Sequence, residues 1–206
     1  MIISMCKIIC ITNRKLCDND FLTQIEKIIV SRPDSVVLRE KDLNQNDYTA
    51  LARKVLSLCQ KYSVAFTIHF YYQTALKLGI GRIHLPLAVL RRMSRDEKKC
   101  FSVIGVSCHS ADEAKEAESL GASYITAGHI FPTDCKAGLA GRGLAFLREV
   151  KNRVDIPLYA IGGISPENAP EVISAGADGI CIMSGFMKSD NPDELISAIK
   201  EKFPHE

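Results

Sequence analysis

Leu158-Tyr159-Ala160-Ile161-Gly162-Gly163 followed by Ser165-Pro166-Glu167, and then Gly179-Ile180-Cys181-Ile182-Met183-Ser184-Gly185, form the stretch whose reading decides the fold. A short apolar run ends on a glycine pair, a helix-opening segment follows, and a second apolar run ends on Ser-Gly. That order predicts a strand, a crossover helix and a parallel strand. The same alternation runs outward to both ends of the chain. Strands are predicted over Cys6–Thr12, Ser35–Arg39, Val64–His69, Arg82–Leu85, Phe101–Ser107, Tyr124–Gly128, Leu158–Ile161 and Gly179–Met183. Helices are predicted between them, such as 46–62, where Leu51, Val55 and Leu58 recur at helical spacing, and 111–120, which Ser110 caps with Glu113 three residues on. Repeated β-α units with short connections predict an α/β chain closed as a (β/α)₈ TIM barrel, one domain over residues 1–206. An open doubly wound sheet is the alternative. Thr12-Asn13-Arg14-Lys15 stands after the first strand in place of a G-x-G-x-x-G dinucleotide fingerprint, which argues against it.

Composition fits that reading. Of 206 residues, 47% are hydrophobic and 24% charged, enough apolar material for a core and too much for disorder. With 26 Lys+Arg against 24 Asp+Glu, the net charge of +2 gives no general attraction to nucleic acid or membrane, so an anion site has to be local. The cysteines, at positions 6, 10, 17, 59, 100, 108, 135 and 181, form no CxxC pair and no zinc spacing. Reduced thiols and a cytoplasmic location are expected. No secretory leader is read at the N-terminus, and no apolar run approaches the roughly 20 residues of a membrane span.

In such a barrel the chemistry gathers at the C-terminal ends of the strands. Arg39-Glu40-Lys41, His69, His84, Ser107-Cys108-His109, Gly128-His129, Gly162-Gly163 and Ser184-Gly185 stand there. Gly163, Ser184 and Gly185, after the last two strands, are expected to cradle a phosphate with backbone N–H groups, although tight turns alone also use such glycines. Arg39 and Lys41 are expected to help hold anionic groups. Residues 128–143 form a long loop with four glycines, rooted on His129 and carrying Thr133 and Lys136. Loops of this kind often close over substrate. His129 titrates near neutral pH and is the candidate general acid/base, with a strand-capping role as the plain alternative. His69 and His109 are weaker candidates. His84 is expected to pack or orient a neighbour, and His205 to be inert.

Gly128-His129-Ile130-Phe131-Pro132-Thr133-Asp134-Cys135-Lys136, Ala160-Ile161-Gly162-Gly163-Ile164 and Ala175-Gly176-Ala177-Asp178-Gly179 together resemble the thiamin phosphate synthase/TenI superfamily. Leu38-Arg39-Glu40-Lys41-Asp42 and Gly105-Val106-Ser107-Cys108-His109-Ser110 extend the resemblance over the first half. It implies a barrel that handles thiazole phosphates. Synthases of this superfamily carry acidic residues for magnesium after strands three and four, where this chain has Phe70 and Val89, and neither side chain offers a carboxylate oxygen. Val37 stands where they carry glutamine, and Gly128-His129 where they show Gly-Pro.

These departures resemble the TenI branch. The resemblance then implies a thiazole tautomerase that aromatises carboxythiazolidene ethyl phosphate to carboxythiazole ethyl phosphate. Its active-site histidine matches His129, and the loop is expected to bring Lys136 and Thr133 to the same rim, where the cation can hold the substrate carboxylate. The expectation is therefore an isomerase without synthase turnover, metal or cofactor. Its partner is a small-molecule thiazole phosphate, and homo-oligomers are common in this group. A synthase homologue and a non-catalytic thiazole phosphate-binding regulator are the alternatives. The regulatory reading finds no nucleic-acid motif behind it.

Overall fold

The computed structural model describes residues 6–133, 136 and 138–203; Asp134, Cys135 and His205 lie outside them. Parallel strands β1 (Lys7–Ile11), β2 (Ser35–Leu38), β3 (Ala65–His69), β4 (Arg82–Pro86), β5 (Val103–Cys108), β6 (Tyr124–Gly128), β7 (Leu158–Ile161) and β8 (Gly179–Ile182) follow one another around a closed barrel, β8 pairing back onto β1. The helices are α1 (Phe21–Val30), α2 (Gln45–Lys61), α3 (Tyr72–Leu78), α4 (Leu87–Leu90), α5 (Arg95–Lys99), α6 (Ala111–Ser119), α7 (Gly143–Lys151), α8 (Ala169–Ser174), α9 (Ser184–Met187) and α10 (Pro192–Lys200). The expected (β/α)₈ barrel is the fold. Every residue of β2, β6 and β8 is buried, because helices cover one face and the barrel interior the other.

Small differences at the element ends have local causes. β5 begins at Val103 because the Phe101 and Ser102 N–H groups are taken by Lys98 and Gly81 carbonyls in a turn. β4 runs on to Pro86, which pairs with Ser107. Ser110 caps α6 by accepting from Glu113 N at 3.1 Å, but the Glu113 carboxylate reaches past the cap to the His109 N–H at 2.6 Å.

Alternate strand residues face the barrel axis, and the interior they build has two sectors. Ile9, Ile11, Val37 and Cys181 pack with Tyr159, Ile161 and Met183 into an apolar sector over β1, β2, β7 and β8. The other sector is polar: Thr67, His69, His84 and Thr126 are buried on β3, β4 and β6. Gly105 makes this second sector possible. It lies in register between His84 and Tyr124, and a Cβ on it would come within 2.0 Å of the Tyr124 ring. The tyrosine therefore lies across the bare backbone, and its hydroxyl pairs with His84 Nδ1 at 3.0 Å. The other ring nitrogen, Nε2, meets Ser107 Oγ at 2.8 Å.

Candidate active site

A cavity of about 460 Å³ opens at the C-terminal ends of the strands. Its lining brings together Arg39 and Lys41 after β2, His129, Thr133 and Lys136 of the β6–α7 loop, Gly163 after β7 and Ser184 after β8. Gly185 is not among the lining residues. It is exposed, and its Cβ position points at Ile182 Cγ2, 2.9 Å away.

The two glycines after β7 have a packing duty. Gly162 and Gly163 take φ of 102° and 66°, which side-chain-bearing residues rarely adopt. A Cβ on Gly162 would lie 2.4 Å from His129 Cβ, and one on Gly163 would lie 2.6 Å from the Pro132 carbonyl oxygen. The first need for glycine here is thus to let the β6–α7 loop lie directly on the β7 loop, where Ile130 N and Phe131 N donate to the Ile161 and Gly162 carbonyls. At the β8 end, Met183 precedes α9 without giving it a side-chain cap, and both Met183 and Ser184 line the cavity.

His129 is held from both sides. Its carbonyl accepts from Arg142 N at 2.9 Å, and Arg142 Nη1 also donates to the His109 carbonyl at 2.6 Å. Within this frame His129 Nε2 is buried with no hydrogen-bond partner. An orphaned polar atom at a cavity wall costs stability unless a ligand completes it. His109 is exposed at the same mouth, its Nδ1 at 3.5 Å from the Gly128 carbonyl.

His69 and His84 form the floor, their rings stacked at 5.9 Å. Burial, with smaller contributions from His84, Arg39 and Lys41, pushes His69 well below the usual histidine range. Burial and then Arg39 bring His84 down to about 4. Both are neutral at pH 7, and His84 orients Ser107 and Tyr124 as the sequence suggested. Ser107 was placed at a strand end but given no role, and Thr126, Arg91 and Glu113 on the wall were missed. The strand parity shared by His84, Ser107 and Thr126 was the available signal.

The upper rim is cationic. Desolvation lowers the Lys41 pKa, and repulsion from Arg39 and Lys136 lowers it further. Arg91 is forked by Glu116 at 2.6 Å on both nitrogens. Among the described residues the only lining carboxylate is Glu113, already engaged by the His109 N–H. No cluster of three or more His, Cys, Asp or Glu suited to a metal exists among them. Phe70 is 46% exposed and Val89 is half-buried on α4. The donor set therefore does not fit the magnesium ion that the resemblance attaches to synthases.

Residues 8–186 match the family model described as thiamine monophosphate synthase. The thiamine-phosphate synthase of Bacillus licheniformis is 35% identical over 89% of this chain and 84% of its own length. That of Shouchella clausii is 37% identical over 88% and 90%. The solved thiamine phosphate pyrophosphorylase of Pyrococcus furiosus superposes with a TM-score of 0.82 at 27% identity, covering 99% of this chain and 100% of that one.

These findings correct the expected activity. An isomerase of the thiazole tautomerase kind, lacking synthase turnover, is overturned by relatives that match over most of the chain and are thiamine-phosphate synthases. The narrower placement in the TenI branch falls with it. The expectation rested on His129, Phe70 and Val89, local exchanges within a chain that matches the family model over residues 8–186. Among the described residues, no helix is long and apolar enough to cross a membrane.

Proposed function

The chain belongs to the thiamine monophosphate synthase family, and from that premise we propose that it is a transferase of the thiamine-phosphate synthase kind. It joins a pyrimidine diphosphate to a thiazole phosphate with release of pyrophosphate. The observation that carries this reading is one cavity lined both by the cationic side chains Arg39, Lys41 and Lys136 and by the Gly163 and Ser184 loops. A diphosphate and a phosphate ester together bring more negative charge to such a cavity than the one phosphate and one carboxylate of a tautomerase substrate.

In this reading the bond between the pyrimidine methylene carbon and the diphosphate oxygen breaks, and its electron pair leaves with pyrophosphate. The lone pair of the thiazole nitrogen then forms the new C–N bond, so no proton has to leave. Arg39, Lys41 and Lys136 stabilise the charge that develops on the leaving group, the kind of preorganised electrostatic help that dominates many enzymes. Neutral His69 and His84 below add no positive charge against a methylene carbon that is becoming cationic. Ile11, Val37, Ile161 and Met183 line the cavity and exclude the water that would otherwise capture that carbon. His129 Nε2 gains its missing partner from a heteroaromatic ring.

The reading places the protein in the cytoplasm, with small-molecule phosphates as its ligands and homo-oligomers as its assembly. Thiamin phosphate formed from the two phosphorylated halves at about 1 s⁻¹ or faster supports it. Tight binding of thiazole phosphate with no product would support instead a second reading, a non-catalytic binding barrel, which the lack of a metal-holding carboxylate cluster among the described residues favours.

A further inference from the structure

Arg39-Glu40-Lys41-Asp42 alternates in sign, and the fold separates the signs. Glu40 is 2% exposed and accepts from Thr12 Oγ1 at 2.6 Å, from Arg14 N at 3.0 Å and from Arg14 Nη1 at 3.2 Å. Asp42 is forked by the same guanidinium at 2.6 Å on each oxygen, and Lys15 Nζ lies 3.1 Å away. The Arg14 guanidinium holds the Asp42 carboxyl well below the usual range. Both carboxylates are thus committed to the loop after β1, and neither lines the cavity. Arg39 and Lys41 do line it, with Lys136 across the mouth close enough to depress Lys41. The one described lining carboxylate, Glu113, gives one of its oxygens to a backbone N–H.

A hard divalent cation enters such a site on one or two carboxylates together with substrate phosphates. This rim offers it repulsion instead. A diphosphate, carrying several negative charges, finds there the neutralisation that a metal would otherwise bring.

We propose that this cavity binds the diphosphate of its substrate without a divalent cation, Lys41 and Lys136 together with Arg39 supplying the compensating charge. The proposal rests on the transferase reading and goes beyond it. The test is calorimetric titration of the full chain with inorganic pyrophosphate, once with a chelator and once with magnesium, compared at equal free pyrophosphate because magnesium also binds the probe. The proposal expects affinities within about twofold of one another, and a loss of about tenfold or more in Lys41→Ala and in Lys136→Ala, the scale of one charge-assisted hydrogen bond. Both lysines are exposed, so neither variant threatens folding.

Binding that needs magnesium, or tightens tenfold with it, overturns the proposal and leaves the transferase reading standing. Metal-independent binding that is indifferent to both lysine variants overturns the assignment of the rim. No binding under either condition overturns the proposal and the transferase reading together.

Discussion

The rim over β7 and β8 and the rim formed by the end of β2 with the β6–α7 loop both suit anions, but they are made of different material. The first is backbone: Gly162 and Gly163 at positive φ, and the uncapped start of α9. The second is side chains, Arg39, Lys41 and Lys136, which line the cavity, while Arg14 and Lys15 occupy the carboxylates of Glu40 and Asp42. A backbone rim has fixed geometry and modest charge, which suits a phosphate ester that must stay in place. A side-chain rim has charge and reach, which suits a leaving group whose charge grows and which must then depart. The polar interior beneath them keeps its histidines neutral, so the positive field is confined to the mouth.

The largest effect is expected from breaking the charged rim alone. Arg39→Ala with Lys41→Ala should weaken pyrophosphate by roughly 10²–10⁴-fold, two charge-assisted contacts, while thiazole phosphate affinity stays within a few-fold. Titrating both ligands against the double variant checks this, and equal losses for both would erase the distinction between the rims.

Next is the pH dependence of stability. His84 is held at about 4 in the fold against roughly 6.5 unfolded, so below that value the unfolded chain binds the extra proton. Stability is therefore full above about pH 6.5 and falls by about 3 kcal/mol, to order of magnitude, as the pH drops toward 4. His69 adds to the loss in the same direction. Denaturant unfolding at a series of pH values reads the slope, and a His84→Gln variant should flatten it.

The backbone rim is probed by Gly162→Ala. With φ at 102° and His129 Cβ 2.4 Å from the new methyl, it should cost about 1–3 kcal/mol and displace the β6–α7 loop, weakening both ligands. Thermal unfolding and the same titrations follow it. Smallest is Ser184→Ala, which should cost thiazole phosphate about threefold to tenfold and leave pyrophosphate unchanged, since only the hydroxyl donor is lost and the backbone N–H stays.

The two rims were not equally legible in the sequence. Strand ends and their odd residues could be read because a strand buried on both faces leaves a nearly continuous apolar signal, as at 124–128, where prediction and structure coincide. Arg39 and Lys41 could be named from position. That Glu40 and Asp42 turn away could not, because their partners come from the loop after a different strand. The glycines after β7 were visible, yet their packing duty toward His129 and Pro132 depends on the path of another loop. His129 was read as the seat of the chemistry, and the activity built on it was the part that failed. A single exchanged residue says what a site can do, whereas the family resemblance over the whole chain was the safer guide to which substrates it takes.

The central claim is that one cavity holds two different anions on two different rims. The most direct measurement is a crystal structure of the chain with thiamin phosphate and pyrophosphate bound together. The account predicts the ester phosphate within hydrogen-bond distance of Gly163 and Ser184, and pyrophosphate on Arg39, Lys41 and Lys136. Both anions on one rim, or a cavity that admits only one of them, would contradict it.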